Sequence, residues 1–226
     1  MAALSLPFWL IFEFYNLSDK YGARLFSTLG MIINVIGFFL LMALPVNFSY
    51  PVFALIIFVL GIGQGMFAAP NTTSVMNAVP PEHRGITAGM RATFTNMSFM
   101  FSIVIFFTLL VVGLGTALPG ALYTGLIAQS VPAAAAHAVS QLPPTSALFA
   151  ALLGYNPMLT LLPHNVTAVI PKTNLTVITG NEFFPNLVSA PFADGIHSVL
   201  IAAIIMSAIA AVASALRGKR FIYGRK

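Results

Sequence analysis

The chain's 226 residues are 58% hydrophobic and only 7% charged, where soluble domains carry about 25% charged residues. Too few polar side chains exist to coat a soluble globule, and the mean hydropathy of +0.93 places the chain in a lipid bilayer. A formal net charge of +5 does not point to nucleic acid, because the basic residues sit between and after the apolar runs, where membrane topology puts them.

Residues 1–15 are apolar but shorter than the ~20 residues that cross a bilayer, and Glu13 stands near their end. They read as the tail of a truncated helix; a secretory signal would need a basic start and a small-residue cleavage site, and neither is present. Segments 23–44, 50–79, 85–114 and 196–216 are apolar runs of spanning length. The expected fold is therefore all-α and integral to the membrane, with four complete transmembrane helices plus the truncated N-terminal helix. Its parts are the truncated helix 1–15, a three-helix membrane region 16–114 with a cytoplasmic loop, a long extracytoplasmic segment 115–195, a final transmembrane helix 196–216 and a basic cytoplasmic tail 217–226.

Orientation follows from charge. Lys20, Arg24, Arg84, Arg91, Arg217, Lys219, Arg220, Arg225 and Lys226 cluster at alternate helix ends, with Lys172 alone elsewhere. The positive-inside rule then makes the loop at 16–24, the turn at 80–91 and the C-terminus cytoplasmic, in a multi-pass protein of the cell membrane. The outer segment holds most of the chain's 15 prolines but is too apolar for a disordered linker. Its uncharged stretch 145–162 is nearly long enough to cross; a crossing there would put the basic tail outside, so it reads as interfacial or re-entrant. Sequons at Asn47, Asn165 and Asn174 fall on the outer side.

Helical spacing places Arg91, Thr95, Ser98 and Ser102 along one face of the third span. Intramembrane polar groups point at other helices or at a cavity, so these hydroxyls are either interhelical glue or the lining of a substrate path. In the second span Gly61 and Gly65 continue to Ala69 and Thr73 at four-residue steps, with Gly63 between them, a small-residue seam for close backbone approach. Ala203, Ser207, Ala211 and Ala215 make the same pattern in the last span, and Gly30, Asn34 and Gly37 a shorter stripe in the first. Gln64 and Asn71 share a separate polar face, and Pro70 between them removes a backbone donor and should kink the helix, which suits a gating helix and occurs in inert bundles as well.

Missing chemistry is informative as well. Cys is absent, which removes disulfides and thiolate chemistry. His83, His137, His164 and His197 are too scattered to hold a metal, and no nucleophile triad, phosphate loop or zinc-protease motif appears. Neither a cofactor nor an enzyme is expected. The complete spans carry no acidic residue, and Glu13, Glu182 and Asp194 stand at or outside helix ends.

The loop Leu17-Ser18-Asp19-Lys20-Tyr21-Gly22-Ala23-Arg24 resembles the signature loop of the major facilitator superfamily, with Tyr15 in place of its first glycine. Leu60-Gly61-Ile62-Gly63-Gln64-Gly65 resembles that family's Gly-rich motif, with Ile57 where an Arg is usual, and Val79-Pro80-Pro81-Glu82-His83-Arg84-Gly85 resembles the turn that follows. With a long outer loop before the last helix, the chain looks like most of the C-terminal bundle of a fourteen-helix drug:proton antiporter. The resemblance implies part of a proton-coupled secondary transporter exporting small hydrophobic or cationic substrates, incomplete without an N-terminal half or a second copy. It also implies that Asp19, Lys20, Gly22 and Arg24 form a conformational latch. The alternative from the residues alone is a non-transporting helical fragment or a self-associating membrane module whose seams drive association.

Topology is open to a direct check. Cysteines placed at Ser18 and Gly224 are expected to resist an impermeant thiol reagent in intact cells, whereas one at Thr173 reacts. Labelling at Gly224 from outside would overturn the orientation.

Overall fold

A computed structural model describes residues 23–217. The expected truncated helix 1–15, the loop residues Asp19, Lys20 and Gly22, and the tail from 218 onward lie outside the described residues. Among the described residues the structure is all-helical, in the order α1 (Ala23–Met42), α2 (Tyr50–Asn77), a 3-10 turn (Pro81–His83), α3 (Arg84–Ala128), α4 (Ala133–Ser140), α5 (Pro144–Leu152), α6 (Met158–Leu161), α7 (His164–Thr167), α8 (Lys172–Thr179) and α9 (Phe183–Ala215). Four of these, α1, α2, α3 and α9, are long and apolar enough to cross a membrane. The chain divides into two compact units, one of residues up to 103 together with those from 200 onward, the other of residues 104–199.

The first unit is organised by the α1–α2 pair. α1 buries Phe26, Ser27, Gly30, Met31, Asn34 and Gly37, the positions that helical periodicity stacks on one face. α2 answers with Ile56, Gly63, Met66, Ala69 and Pro70. Contact is closest at two glycines: a Cβ on Gly30 would lie 2.5 Å from the Gly63 carbonyl oxygen, and one on Gly63 would lie 2.8 Å from the Gly30 oxygen and 2.7 Å from Asn34 Oδ1. Any side chain at either position would drive the helices apart. Leu29, Ile32, Ile36 and Phe39 on α1, and Leu55 and Phe58 on α2, are exposed, as apolar side chains facing lipid are. The end of α9 meets this pair where the Thr28 hydroxyl lies 3.1 Å from that of buried Ser214. The first half of α3, by contrast, is exposed around nearly its whole circumference, including Phe94, Phe99, Met100 and Phe101.

The second unit has its own apolar core. Leu114, Leu118, Leu122 and Leu126 recur every four residues along α3 and are fully buried against Ala136, Ala147, Met158, Ile178 and Phe184. α3 and α9 run antiparallel here: a Cβ on Gly113 would meet the Gly195 Cα at 2.7 Å, and further along Gly125 abuts Leu187. The prolines of this region do not mark a disordered loop. Pro132, Pro143, Pro157, Pro163 and Pro171 each occupy the position just before a short helix, α4 to α8 in turn, where proline's fixed φ and missing N–H cost nothing. Asn156 ties the unit together, donating from Nδ2 to the Ile178 and Gly180 carbonyls, each at 2.7 Å, while its Oδ1 accepts from the Met158 N–H at 3.1 Å.

Helix limits differ from the sequence expectation. α3 continues past Leu114 to Ala128 and α9 begins at Phe183, ahead of Ile196, with Pro119 and Pro191 accommodated inside the helices. With 45 residues, α3 is about 68 Å long, more than twice the ~30 Å of bilayer hydrocarbon. The stretch 145–162 is α5 and α6, of 9 and 4 residues, separated by a turn at Gly154 with φ +66°.

The glycine contact generates a paired test. Gly30→Val is expected to destabilise the purified chain by about 1–3 kcal/mol through overpacking, whereas Gly61→Val, with nothing within 4 Å, stays near wild type. Both changes carry the same helix-propensity penalty, so the difference in melting temperature reports packing alone.

Candidate functional site

The first unit holds a groove of about 580 Å³ lined by Val75 from the end of α2 and by Thr87, Met90, Arg91, Phe94, Thr95 and Ser98 from α3. Its shape comes from the connection between the two helices. α2 ends at Asn77, Pro80 adopts φ −56° and ψ 149°, and the 3-10 turn starting at Pro81 leads straight into α3, so Val75 stands opposite the first turns of α3. The groove's walls are mostly apolar, and Arg91 is its one charged lining residue.

Hydroxyls along the stripe are engaged by their own helix. Thr87 Oγ1 donates to the His83 carbonyl at 3.0 Å, Thr95 Oγ1 to that of Arg91 at 2.9 Å and Ser102 Oγ to that of Ser98 at 2.7 Å. Such back-bonding satisfies the O–H while leaving the oxygen's lone pairs free to accept. The stripe read from spacing is thus partly brought together: Arg91, Thr95 and Ser98 line the groove, and Ser102 lies beyond it.

The other polar residues of the sequence reading go elsewhere. Gln64 is exposed on α2. Asn71 accepts a short hydrogen bond on Oδ1 from Nη2 of Arg217, which follows α9. Among the described residues Nη1 of Arg217 is buried without a partner, so Asn71 carries much of the compensation for that guanidinium. Of the second-span glycines, Gly63 makes the close approach and Gly61 faces open space, while Pro70 is buried next to Asn71 in the face turned to the rest of the unit. Arg24 is exposed; its loop partners Asp19, Lys20 and Gly22 are outside the described residues. Sequence reasoning missed the Arg217–Asn71 bond, since Arg217 reads as the first charge of a basic tail.

A second groove, about 520 Å³, lies in the other unit between the end of α8 and the start of α9, with Asn181 and Glu182 exposed at its mouth. Among the described residues no group of three or more His, Asp or Glu side chains is placed to hold a metal.

Comparison with known proteins returns two findings. Residues 13–105 match the family model described as PUCC protein. The chain is also 34% identical over 96 residues to the riboflavin transporter RibZ of Clostridioides difficile (strain 630), a match covering 40% of this chain and 20% of that protein. The chain therefore spans about a fifth of the length of this curated relative. No solved structure matches. These findings correct the resemblance drawn from the short loop motifs: they support a PUCC-type region and a relative named for riboflavin transport, not a drug:proton antiporter of the major facilitator superfamily. The motifs that suggested it are short Gly, Pro and charged turns, whose form is dictated by close packing and helix reversal and so recurs without common function.

The Arg217–Asn71 bond is testable by a double-mutant cycle. Asn71→Leu leaves a partly buried guanidinium unsatisfied and is expected to cost about 1–3 kcal/mol. Adding Arg217→Met should recover part of that loss in the melting temperature of the purified chain, and strict additivity would show that the bond has no energetic weight.

Proposed function

We propose that the chain is the membrane-embedded part of a transporter for a small organic solute, and that it is not an enzyme. The observation that carries this reading is the 34% identity to a riboflavin transporter in a chain with four helices suited to crossing a membrane. Riboflavin is the first solute to test, because that relative is named for it.

In this reading Arg91, Thr95 and Ser98 form one wall of the solute path, with Ser102 extending it and Gln64 at a separate exposed position. Gly63 and Pro70 supply the two mechanical elements: a tight contact that holds α1 to α2, and a point in α2 lacking one backbone hydrogen bond, where bending is easiest. The remaining wall comes from a second copy. The basic ends of the spans face the cytoplasm, in keeping with the charge distribution.

Uptake of labelled riboflavin by a riboflavin-auxotrophic bacterium lacking its own uptake system tests the reading. Cells making the chain should accumulate riboflavin above an empty-vector control, and Pro70→Ala should lower the rate without lowering the amount of protein in the membrane. Accumulation at the control level, together with no riboflavin binding by the purified chain, overturns it.

A further inference from the structure

We infer that the groove between α2 and α3 selects solutes carrying an anionic group, with Arg91 as the counter-charge; this rests on the reading of the chain as a transporter of small organic solutes. Arg91 is exposed and is the one charged residue lining the groove, and a guanidinium beside apolar walls attracts an anionic group more strongly than one in open water. None of the residues lining the groove is acidic, and the neighbouring Thr87 and Thr95 hydroxyl protons are held by backbone carbonyls. The groove therefore presents one fixed positive charge with a fork of donors suited to carboxylate or phosphate.

The rest of the lining defines the body of the solute. Val75, Met90 and Phe94 give an apolar wall with an aromatic face, which suits a flat ring system. Beyond Arg91, Thr95 and Ser98 continue the polar edge for about 10 Å along α3, offering hydroxyl oxygens as acceptors. A phospholipid seated with its phosphate on Arg91 would lay hydrocarbon along that edge, whereas an elongated solute with hydrogen-bonding groups along its length satisfies it. The chemistry thus points to an anionic, ring-bearing organic solute and away from the hydrophobic or cationic substrate that the resemblance implied.

The full chain in phosphatidylcholine nanodiscs, titrated with riboflavin and with riboflavin 5′-phosphate and followed by flavin fluorescence, gives the test. The phosphate ester should bind about tenfold more tightly than riboflavin, the scale of one charge-assisted contact. Arg91→Gln should bring the two affinities together with helix content unchanged by circular dichroism, and Arg91→Lys should keep part of the preference. Phe94→Ala should weaken both ligands alike. Equal binding of the two flavins by the wild type would overturn the charge inference while leaving the transporter reading standing. No binding of either flavin would remove both. A preference that survives Arg91→Gln overturns the role of this residue. Displacement of the flavin phosphate by an equal concentration of short-chain phosphatidylglycerol would make a lipid phosphate the occupant and overturn the solute assignment.

Discussion

The approach of Gly30 to Gly63 is the contact on which the first unit depends. Between helices in lipid there is no hydrophobic force of the kind that folds soluble proteins, and association rests on packing and on buried hydrogen bonds. Both glycines lack the atom that would otherwise stand within 3 Å of the facing backbone. The approach they allow places the Asn34 side chain against Gly63, buries Met31 and Met66, and leaves room for the end of α9, where Thr28 meets Ser214. Ser27, fully buried with its hydroxyl unpartnered among the described residues, belongs to the same logic: at that spot small size counts for more than polarity.

The second unit solves a different problem with related means. Its backbone is interrupted many times, and each interruption exposes helix ends whose N–H and C=O groups need partners. Placing a proline before each short helix removes one orphan donor next to the end and fixes the entry angle. Asn156 then satisfies two carbonyls at the end of α8 and one N–H at the start of α6. Fully buried leucines on α3, spaced by one helical turn, provide the apolar face against which these pieces settle. Gly113 and Gly195 repeat the device of the first unit, since each abuts the backbone of the opposing long helix.

Sequence revealed those features that depend on one helix at a time. Four long apolar helices were legible because length and hydropathy are local properties, and the alignment of Arg91, Thr95 and Ser98 was legible because it follows from helical periodicity alone. Helix limits were not, since whether Pro119 or Pro191 ends a helix depends on what surrounds the freed carbonyl. The packing glycine of α2 was ambiguous for a similar reason: Gly61, Gly63 and Gly65 all lie in one small-residue run, and only the presence of α1 distinguishes Gly63. Val75 entered the groove through the turn at Pro80 and Pro81, and Arg217 left the set of topology charges through a bond to a residue far away in sequence. The family assignment failed where it rested on motifs a few residues long, and the comparison over 96 residues corrected it.

The polar groups of the first unit fall into two kinds, and the distinction decides where function is to be sought. Asn71, Arg217, Thr28 and Ser214 answer one another within the chain; such pairs fix helix positions and leave little capacity for a ligand. Thr87, Thr95 and Ser102 answer to their own backbone, which disposes of their protons but not of their lone pairs. Arg91 has neither kind of compensation among the groove's lining residues. It stands on a helix that this chain covers little, seven positions after the basic residue that opens α3 and so about 10 Å along its axis. The hydrogen bonds of the other polar groups account for them within the chain, whereas Arg91 has no partner among the residues that line the groove. A single uncompensated charge beside an aromatic wall is a small amount of chemistry, yet it sets the sign of what the groove attracts.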